Sequence, residues 1–548
     1  MNYYKLGCYW GTGKPCFFPL LKKHSIIICA GQEINKGDFV AITQGYKVIA
    51  LAQLTSSRFQ CTCITELEND FKKYEIHFAD WNYIAYARIW ELDEQDKFEY
   101  KLQQGICQIK QPEIQNRLTS LISKIMNNEI IIKSKKLLES NYNLVLTGAP
   151  GTGKTYLAKE IAKAMGATYK VVQFHPSYDY TDFVEGLRPV KSGSSLGFQR
   201  KDGVFKAFCK EAFFSIISSF DNAYTDLIQK IKDGGIKTIK LKTKDSAELD
   251  VRRDDSIGWY SESEAGNKSS NVVSKARLQK LFNVYNTIDK VSNMRNITEN
   301  IQSIIGGCDA SYYWGVLHYL VEHTQNQTKP YVFIIDEINR GEISKIFGEL
   351  FLSIDTGYRG DEHKVDTQYQ NLIPREGDPD FDPSNADVFR NGFFIPKNVF
   401  IIGTMNDIDR SVESMDFAMR RRFAWKEITV ESRQAMLDDE ASWNGNMPEK
   451  SVIEQIKIRM NNLNACIIDE YKGNNLSPNE LSPKDKIGLT KAYQIGAAYF
   501  LKYGIYNNFD DLWDNHLEGL LFEYLRGTSN IEAKIKRLRN SYNDTIAH

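Results

Sequence analysis

The stretch "LTGAPGTGKTYLAKEIA", residues 146–162, decides the fold of this chain. It contains the pattern GxxxxGK[ST]. In that pattern a glycine bends the chain off a strand, backbone N–H groups surround phosphates, lysine reaches the outer oxygens and a hydroxyl binds Mg²⁺ at a helix N-terminus. The apolar run before it predicts a strand, and the spacing after it predicts a helix. The candidate phosphate-binding residues are Gly148, Pro150, Gly151, Thr152, Gly153, Lys154 and Thr155.

The same four letters, GTGK, also occur near the N-terminus in "CYWGTGKPCFF". There Cys8 stands where the motif requires its first glycine, and Pro15 stands where it requires the hydroxyl. Proline also lacks the N–H that would donate to a phosphate. We therefore interpret this copy as a packed turn or a stacking surface, and we expect only the P-loop (residues 148–155) to bind a nucleotide.

A second apolar segment, "YVFIIDEINRG" at residues 331–341, contains two adjacent carboxylates, Asp336 and Glu337, at the end of its predicted strand. In P-loop enzymes the first can hold Mg²⁺ through water, and the second can orient an attacking water. The alternative is a strand that merely ends in acidic residues; the order of the motifs along the chain weakens it. We expect Thr155 and Asp336 to hold Mg²⁺, and Glu337 to be catalytic.

A third apolar segment, "NVFIIGTMNDIDRS" at residues 398–411, places Asn406 just past a strand, where an amide can reach a γ-phosphate or a water. Three consecutive arginines follow in "MDFAMRRRFAWKEI" at residues 415–428. In a ring of subunits, such an arginine can neutralise charge in the neighbour's site, an effect of about 10³–10⁵ in rate. A solvated basic face is the alternative. Because three other motifs precede the arginines, we favour the first interpretation. Arg421 or Arg422 would then be an arginine finger, a side chain that enters the nucleotide site of the neighbouring subunit.

These segments together resemble the McrB-type family of AAA+ proteins, the GTP-hydrolysing motor subunits of McrBC restriction systems. The resemblance rests on "GAPGTGKT", "DEINRGEISKIFGEL", "TMNDIDRS" and "DFAMRRRF", and on "QFHPSYDYTDFVEGLRP", "QIGAAYFLK" and "LWDNHLEGLLFEYLRG". It covers the chain from about residue 135 onward, apart from one insertion. It implies an α/β AAA+ core with a C-terminal helical lid, GTP or ATP with Mg²⁺, and a homo-oligomeric ring such as a hexamer.

The resemblance also implies partners. The sequence shows no nuclease motif of its own, so a separate McrC-like nuclease is expected to dock on the ring. DNA, in modified or unmodified form, is the expected substrate on which the ring moves, and anti-phage defence is the expected role. An ATP-driven remodeller of protein complexes, and a module that uses nucleotide only to assemble, remain as alternatives.

The segment TMNDIDRS, residues 404–411, is called the signature loop here. It departs from the family pattern MNTADRS at two positions. Asp407 and Ile408 stand where the family usually has Thr and Ala. The resemblance assigns Asn406 and Asp409, which match the pattern, to the positioning of water and phosphate. GTP is what the resemblance implies, whereas the residues alone leave GTP and ATP open.

Composition shifts divide the chain into four predicted parts. They are a β-rich domain at 1–115 that we expect to recognise the target, a helical connector at 116–140, an α/β nucleotide-binding core at 141–430 with an insertion at about 215–315, and a helical lid at 431–548. In the insertion, the stretch at 236–261 alternates like a hairpin and the stretch at 274–286 like a helix.

In the N-terminal domain, alternating apolar and β-branched residues predict a small β-rich barrel, and the charge is divided between its two halves. Residues 1–60 have seven basic and two acidic side chains, a net charge of +5, and the basic half also holds several aromatic residues. Cations interleaved with aromatics suit stacking on bases or the capture of a flipped base. The candidate nucleic-acid residues are Tyr9, Trp10 and Lys14. A protein-interaction or purely structural barrel with core aromatics is the alternative.

The bulk composition limits the classes of protein. A chain of 548 residues needs about three or four domains. With 42% hydrophobic and 25% charged residues and a net charge of −1, it is not a global polycation. No apolar run reaches the ~20 residues of a membrane span, and nine scattered cysteines without a CxxC pair indicate reduced thiols in a cytoplasmic protein.

Overall fold

The structure is a computed structural model of the chain. It describes residues 2–9, 13–29, 31–62, 65–77, 81–101, 105–192, 195–242, 246–262, 268–285, 288–307, 309–324, 329–379, 381–382, 386–408, 417–473 and 486–546. In these residues no helix combines the length and the apolar composition needed to cross a membrane.

The N-terminal part is an eight-stranded sheet with two helices. Its elements are β1 (Tyr3–Gly7), α1 (Phe18–His24), β2 (Ile26–Ile28), β3 (Phe39–Gln44), β4 (Lys47–Leu54), β5 (Phe59–Gln60), α2 (Thr65–Lys73), β6 (Tyr83–Glu91), β7 (Phe98–Glu99) and β8 (Ile106–Gln108). The sheet runs β2-β6-β4-β3-β1-β8, with β5 on β6 and β7 on β4, and only β1 and β3 pair in parallel. Among the described residues β2 and β8 do not pair with each other, so this sheet is open where the alternation predicted a small barrel.

The two faces of this sheet bury alternate residues of each strand, as pleating requires. In β3, Val40 and Ile42 join a core with α1 and α2, whereas Phe39 and Ala41 join a second core. That second core is closed by a long helix, α3 (Pro112–Asn141). Helices therefore cover both faces, and the sheet is buried without closing on itself.

Helix α3 extends the predicted connector at both ends and belongs to two cores. Leu118 and Leu121 pack on the N-terminal sheet, whereas Leu138 packs on the nucleotide-binding core. A single helix of 30 residues thus joins the two parts.

The first half of the core begins at the end of α3. Its elements are β9 (Asn143–Thr147), α4 (Lys154–Ala164), β10 (Thr168–Gln173), α5 (Tyr180–Phe183), β11 (Glu185–Ser192), β12 (Ser195–Asp202) and α6 (Val204–Lys232). Strands β11 and β12 form a hairpin of their own.

The insertion has its own hydrophobic core, to which Trp259 and Trp314 contribute. Its elements are β13 (Thr238–Lys240), β14 (Ser246–Val251), β15 (Ile257–Glu262), β16 (Lys268–Val273), α7 (Lys275–Val284), α8 (Ile288–Ser292), α9 (Ile297–Ile305) and α10 (Ala310–Thr324). The strands form a four-stranded antiparallel sheet rather than a single hairpin. The sequence alone missed β16 because its stretch, KSSNVV, lacks a regular apolar alternation.

The second half completes the core. Its elements are β17 (Tyr331–Asp336), α11 (Ile343–Phe347), α12 (Leu350–Ser353), β18 (Val399–Thr404), α13 (Phe417–Arg420), β19 (Ala424–Glu427) and α14 (Val430–Arg433). The core sheet has the order β10-β17-β18-β9-β19, and every neighbouring pair is parallel. In such a sheet the loops at the carboxyl ends of the strands meet at one edge, where ligands bind.

The C-terminal part is helical, as the resemblance implies. Its α-helices are α15 (Lys450–Ile467), α16 (Ala497–Phe500), α17 (Tyr503–Tyr506), α18 (Phe509–Leu512), α19 (Glu518–Leu525) and α20 (Ile531–Asn543). They surround one hydrophobic core that includes the fully buried Trp513.

Candidate active site

The P-loop joins β9 to α4, and its conformation depends on glycine. Gly148, Gly151 and Gly153 have φ angles of 139°, 76° and 74°. A Cβ at Gly148 would stand 2.2 Å from the carbonyl oxygen of Ile428, and one at Gly151 would stand 2.5 Å from the ring of Tyr499. Both the backbone angles and the close contacts therefore exclude other residues at these two positions.

Lys154, the first residue of α4, is buried inside the loop. Its Nζ donates to the carbonyl oxygens of Gly148 at 2.9 Å and Ala149 at 2.8 Å, and lies 3.4 Å from Thr152 Oγ1. The Thr152 hydroxyl in turn donates to the Ala149 carbonyl at 2.9 Å. The loop thus holds an ammonium group at its centre, where phosphate oxygens can take the place of the carbonyls.

The predicted Mg²⁺ residues, Thr155 and Asp336, are in contact. Thr155 Oγ1 donates to Asp336 Oδ1 at 2.6 Å, and the hydroxyl of Thr404 donates to the same oxygen. Hydroxyl and carboxylate oxygens suit Mg²⁺, which binds few protein oxygens and keeps several waters. This donor set fits the ion. No cluster of three or more His, Cys, Asp or Glu suited to a metal is found in the described residues.

Glu337 follows at once and has a left-handed backbone, with φ of 53°. Asn406 Nδ2 donates to Glu337 Oε1 at 2.7 Å, and Arg340 Nε lies 3.5 Å from Glu337 Oε2. The Glu337 N–H donates to Thr404 Oγ1 at 3.4 Å. A non-glycine residue keeps such a conformation where its surroundings fix it, commonly at functional sites. The structure therefore brings together the two carboxylates and the amide that the sequence singles out.

Replacing Glu337 with glutamine is expected to slow turnover about 10²–10⁴-fold, the usual worth of an acid–base group. Nucleotide binding should persist, because glutamine keeps an oxygen for Asn406 but cannot take a proton from water. Phosphate release and a nucleotide titration measure the two effects. The matched control is Glu342→Gln, which removes an exposed carboxylate paired with Lys345 and should change neither. Loss of nucleotide binding in Glu337→Gln would contradict the catalytic role of Glu337.

The two departures in the signature loop face different neighbours. The N–H of Asp407 donates to the Gly148 carbonyl at 3.4 Å, so this position touches the P-loop. Ile408 packs against the core of the helical lid, which explains a larger apolar side chain there. Asp409, the other candidate in this loop, lies outside the described residues.

The arginines of the predicted finger differ in their surroundings. Arg422 donates to the Ala418 carbonyl at 2.7 Å, and its guanidinium lies 4.4 Å from the ring centre of Phe351. The guanidinium of Arg420 lies over Trp425. Arg421 is exposed, and within the described part of the chain its side chain has no hydrogen bond or ion pair. Among the contacts of the described residues, Arg422 is thus held in place, whereas Arg421 is exposed to solvent.

The N-terminal candidates lie far from these residues in sequence. The Tyr9 hydroxyl accepts from Gln44 Nε2 at 2.9 Å. Lys14, with 42% of its side chain exposed, is paired with Glu75. Trp10 lies outside the described residues. Lys14 is thus exposed at the surface, and its charge is partly neutralised.

Sequence reasoning missed a contact between the lid and the P-loop. The N–H of Gly496 donates to the Pro150 carbonyl, and the N–H of Ala498 donates to the Gly151 carbonyl, both at 2.9 Å. A Cβ at Gly496 would stand 2.2 Å from the Gly151 carbonyl carbon. The segment "QIGAAYFLK" supports the family resemblance, but nothing in it indicates that the backbone of the P-loop approaches its glycine.

Replacing Gly496 with alanine is expected to push the lid off the P-loop, at the cost of about 1–3 kcal/mol that overpacking brings. Its φ of −78° is open to any residue, so the effect arises from contact alone. Nucleotide affinity, measured by titration, should fall about 5- to 100-fold. Gly519→Ala is the control, since no atom lies within 4 Å of its Cβ position. Unchanged nucleotide affinity in Gly496→Ala would show that the contact between the lid and the P-loop does not contribute to nucleotide binding.

A cavity of about 430 Å³ lies beside the P-loop, between α3, α4 and the segment after α14. It is lined in part by Asn127, Tyr156, Arg433 and Asp438. Arg433 is buried, which lowers its pKa, and its Nη1 donates to Asn127 Oδ1 at 3.1 Å. Its Nη2 stands 3.8 Å from the Cβ position of Gly153. The connector helix thus forms one wall of a cavity that adjoins the phosphate-binding loop.

Comparisons with known proteins agree with this geometry. Residues 143–256 and 271–423 match the AAA domain family of the dynein-related subfamily. Over 375 residues, the chain is 26% identical to the type IV methyl-directed restriction enzyme EcoKMcrB subunit of Escherichia coli K12, covering 67% of this chain and 48% of that protein. Over 156 residues it is 28% identical to the type II restriction enzyme BsuMI component YdiS of Bacillus subtilis 168, covering 28% and 41%.

The chain therefore spans about half the length of the curated relatives it matches. The parallel core sheet, the P-loop and the β-rich N-terminal part confirm the predicted fold class. Both relatives are restriction proteins by name, and the longer match is to an McrB subunit. The chain therefore contains an AAA domain, and over two thirds of its length its sequence is similar to that of an McrB subunit.

Proposed function

We propose that the chain is a ring-forming nucleoside triphosphatase, with GTP as its preferred substrate, that drives DNA translocation for a separate McrC-like nuclease in modification-dependent restriction. The observation that carries the proposal is the network at one edge of the core sheet. There Thr155, Asp336, Glu337 and Asn406 are linked through Thr404, next to the P-loop with its buried Lys154. The names of the two relatives support restriction as the setting.

The P-loop binds the triphosphate in this proposal. Its backbone N–H groups and the N-terminus of α4 surround the phosphates, and Lys154 exchanges its carbonyl partners for phosphate oxygens. Mg²⁺, when bound, draws off charge from the β- and γ-phosphates. Thr155 and Asp336 would hold that ion, and Thr404 keeps the Asp336 carboxylate in place.

The attacking water is positioned by Glu337. Asn406 donates to one oxygen of this carboxylate at 2.7 Å and Arg340 lies 3.5 Å from the other, so the carboxylate is held in a defined orientation. Charge on the γ-phosphoryl group during its transfer to water, with the nucleoside diphosphate as leaving group, is met by Arg421 of the adjoining subunit. A head-to-tail contact of this kind closes into a ring, and each site is then completed by its neighbour. Hydrolysis and assembly are thereby coupled.

The base and ribose are proposed to occupy the cavity beside the P-loop. Its volume of about 430 Å³ falls in the range of small-molecule sites. Arg433 and the carboxylate of Asp438 offer a donor and an acceptor to a purine edge. Since both GTP and ATP present acceptors and donors there, the preference for GTP rests on the McrB relationship.

DNA is proposed to contact the N-terminal turn through Tyr9 and Lys14. Full-length protein should bind DNA with an affinity that falls steeply with salt. Lys14→Ala should weaken binding and reduce the salt slope by about one. Glu75→Gln should strengthen binding, because it releases Lys14 from its ion pair. Equal affinities in the two variants would remove this turn from the DNA contact.

An ATP-driven remodeller of protein complexes is the second candidate, because the motor residues would be the same. Phosphate release from GTP and from ATP, each with and without DNA, separates the two. Our proposal predicts faster turnover of GTP and acceleration by DNA. Faster turnover of ATP that no DNA accelerates would favour the remodeller.

A further inference from the structure

The amino end of β9 holds a buried polar network that reaches the arginine segment (residues 420–422). Asn143, the first residue of β9, is fully buried. Its Nδ2 donates to the carbonyl oxygens of Ile354 at 2.7 Å and of Arg422 at 2.9 Å. Its Oδ1 accepts from Arg359 Nη2 at 2.6 Å. One buried amide thus ties the start of β9 to a carbonyl that follows α12 and to a carbonyl that follows α13.

Arg359 is the charged member of this network, and it is only 2% exposed. Its Nη1 donates to the Val399 carbonyl at 2.6 Å, and its Nη2 also donates to the Ile354 carbonyl at 3.3 Å. Burial lowers the pKa of Arg359 to about 10, so it is still charged at neutral pH. A buried charge is costly unless hydrogen bonds compensate it, and a guanidinium donates in fixed directions. Arg359 therefore fixes the orientation of the Asn143 amide.

The network holds the backbone beside Arg421. The Arg422 carbonyl is bound by Asn143, and the Arg421 N–H donates to the Phe417 carbonyl at 3.2 Å. The ring of Phe351 in α12 lies against the Arg422 guanidinium, and the end of α12 is bound by the same amide. The chain is thus fixed on both sides of Arg421, whose own side chain is exposed.

This network lies at the opposite end of β9 from the P-loop. The strand has five residues, Asn143–Thr147, and at about 3.3 Å per residue its ends are roughly 13 Å apart. The P-loop follows the carboxyl end of the strand, whereas the arginine segment is bound at the amino end. A change at Asn143 should therefore affect the arginine that a subunit offers to its neighbour more than the nucleotide that the subunit binds itself.

We propose that Asn143 and Arg359 are positioning residues for the arginine finger, and that they hold the backbone at Arg422 so that Arg421 extends into the site of the adjoining subunit. This inference rests on the proposed function, in which Arg421 acts on the neighbour's γ-phosphoryl group. Neither positioning residue touches the nucleotide. They act through placement, and a displacement of about 1 Å can lower a rate about 10²-fold.

Asn143→Asp tests the contact in the full-length protein. The carboxylate keeps an oxygen for Arg359 but no longer donates to the carbonyls of Ile354 and Arg422. We expect kcat for the nucleoside triphosphate to fall about 10- to 100-fold, with KM changed by less than about threefold. Arg359→Lys is a second variant, because lysine keeps the charge but loses the paired hydrogen bonds of the guanidinium. It should give the same loss of kcat at nearly constant KM.

Asn398→Asp is the matched control. Asn398 directly precedes β18, is also buried, and donates to the carbonyls of Ala212 and Lys329, both at 3.1 Å. The variant therefore removes the same kind of amide from a neighbouring strand, but those carbonyls belong to other segments. Its thermal midpoint should fall about as far as that of Asn143→Asp, whereas its kcat should stay within a few fold of the unmodified rate.

Mixed assemblies distinguish a misplaced finger from a damaged P-loop. Asn143→Asp keeps its own P-loop, so Lys154→Ala, which supplies an intact arginine, should raise phosphate release above that of either variant alone. Arg421→Ala, which supplies no arginine, should not raise it. Arg359→Lys should behave in the same way in both mixtures, which keeps the test decisive if Asn143→Asp does not fold.

Two results would overturn this inference and leave the proposed function intact. One is the reverse pattern, in which Arg421→Ala restores turnover and Lys154→Ala does not. The other is a loss of kcat in Asn143→Asp no larger than that in Asn398→Asp. A mixture of Lys154→Ala with Arg421→Ala that releases no phosphate would instead overturn the shared site, and this inference with it.

Discussion

Lys154→Ala is expected to lower turnover of nucleoside triphosphate by about 10²–10³-fold, the scale seen when a preorganised charge-stabilising donor is removed. Its ammonium is buried within the P-loop and is held by the carbonyls of Gly148 and Ala149. No other side chain of the loop carries a positive charge, so alanine leaves the phosphates without their cation. Nucleotide-dependent assembly should be lost with it, because the triphosphate is what the neighbour's arginine meets.

Phosphate release and sedimentation in the presence of GTP measure these two losses. The matched control is Lys163→Ala, which removes a lysine of the same helix that is exposed and paired with Glu160. That variant should hydrolyse and assemble as the unmodified chain does. If Lys154→Ala turned over nucleotide at an unchanged rate, the P-loop assignment would be wrong.

Arg421→Ala is expected to lower turnover by about 10³–10⁵-fold, the worth of an arginine finger. The reason is its surroundings: Arg422 is engaged by Ala418 and Phe351, whereas Arg421 is exposed without a partner in the described residues. Nucleotide binding should be retained, since the residue belongs to the neighbour's site. Steady-state hydrolysis at saturating nucleotide is the measurement.

Two neighbouring variants make this prediction specific. Arg420→Ala removes a guanidinium that lies over Trp425 and should leave turnover within a few fold. Arg422→Ala removes a packed side chain and should lower the thermal midpoint as well as activity. A variant Arg421→Ala with normal turnover, beside an inactive but stable Arg422→Ala, would transfer the finger to Arg422.

The parts of the fold that follow from local patterns were predictable from the sequence. The P-loop, β17 with its two acids, and β18 were found because strand, turn and helix signals lie next to each other along the chain. The long helix α3 was found for the same reason, although Pro112 rather than Asn116 begins it. In each case the sequence signals that predict the element lie within it or directly beside it.

The parts that depend on contacts between distant segments were not predictable. Thr404 joins Asp336 to Glu337, yet a threonine at the end of a strand gives no sign of its partners. Gly496 approaches the P-loop from more than 300 residues away in sequence. The open N-terminal sheet differs from the predicted barrel because α3, which covers its second face, comes from the connector. That Arg422 is packed and Arg421 is exposed likewise depends on the position of Phe351, a residue distant in sequence.

The most direct test of the account mixes two inactive variants. Lys154→Ala has no working P-loop but keeps Arg421, and Arg421→Ala keeps the P-loop but offers no finger. If each site is completed by its neighbour, an equal mixture should release phosphate at a rate that neither variant reaches alone, because the intact P-loop of Arg421→Ala can then meet the intact arginine of Lys154→Ala. Mixed assemblies that form but release no phosphate would contradict the claim that adjoining subunits share the site.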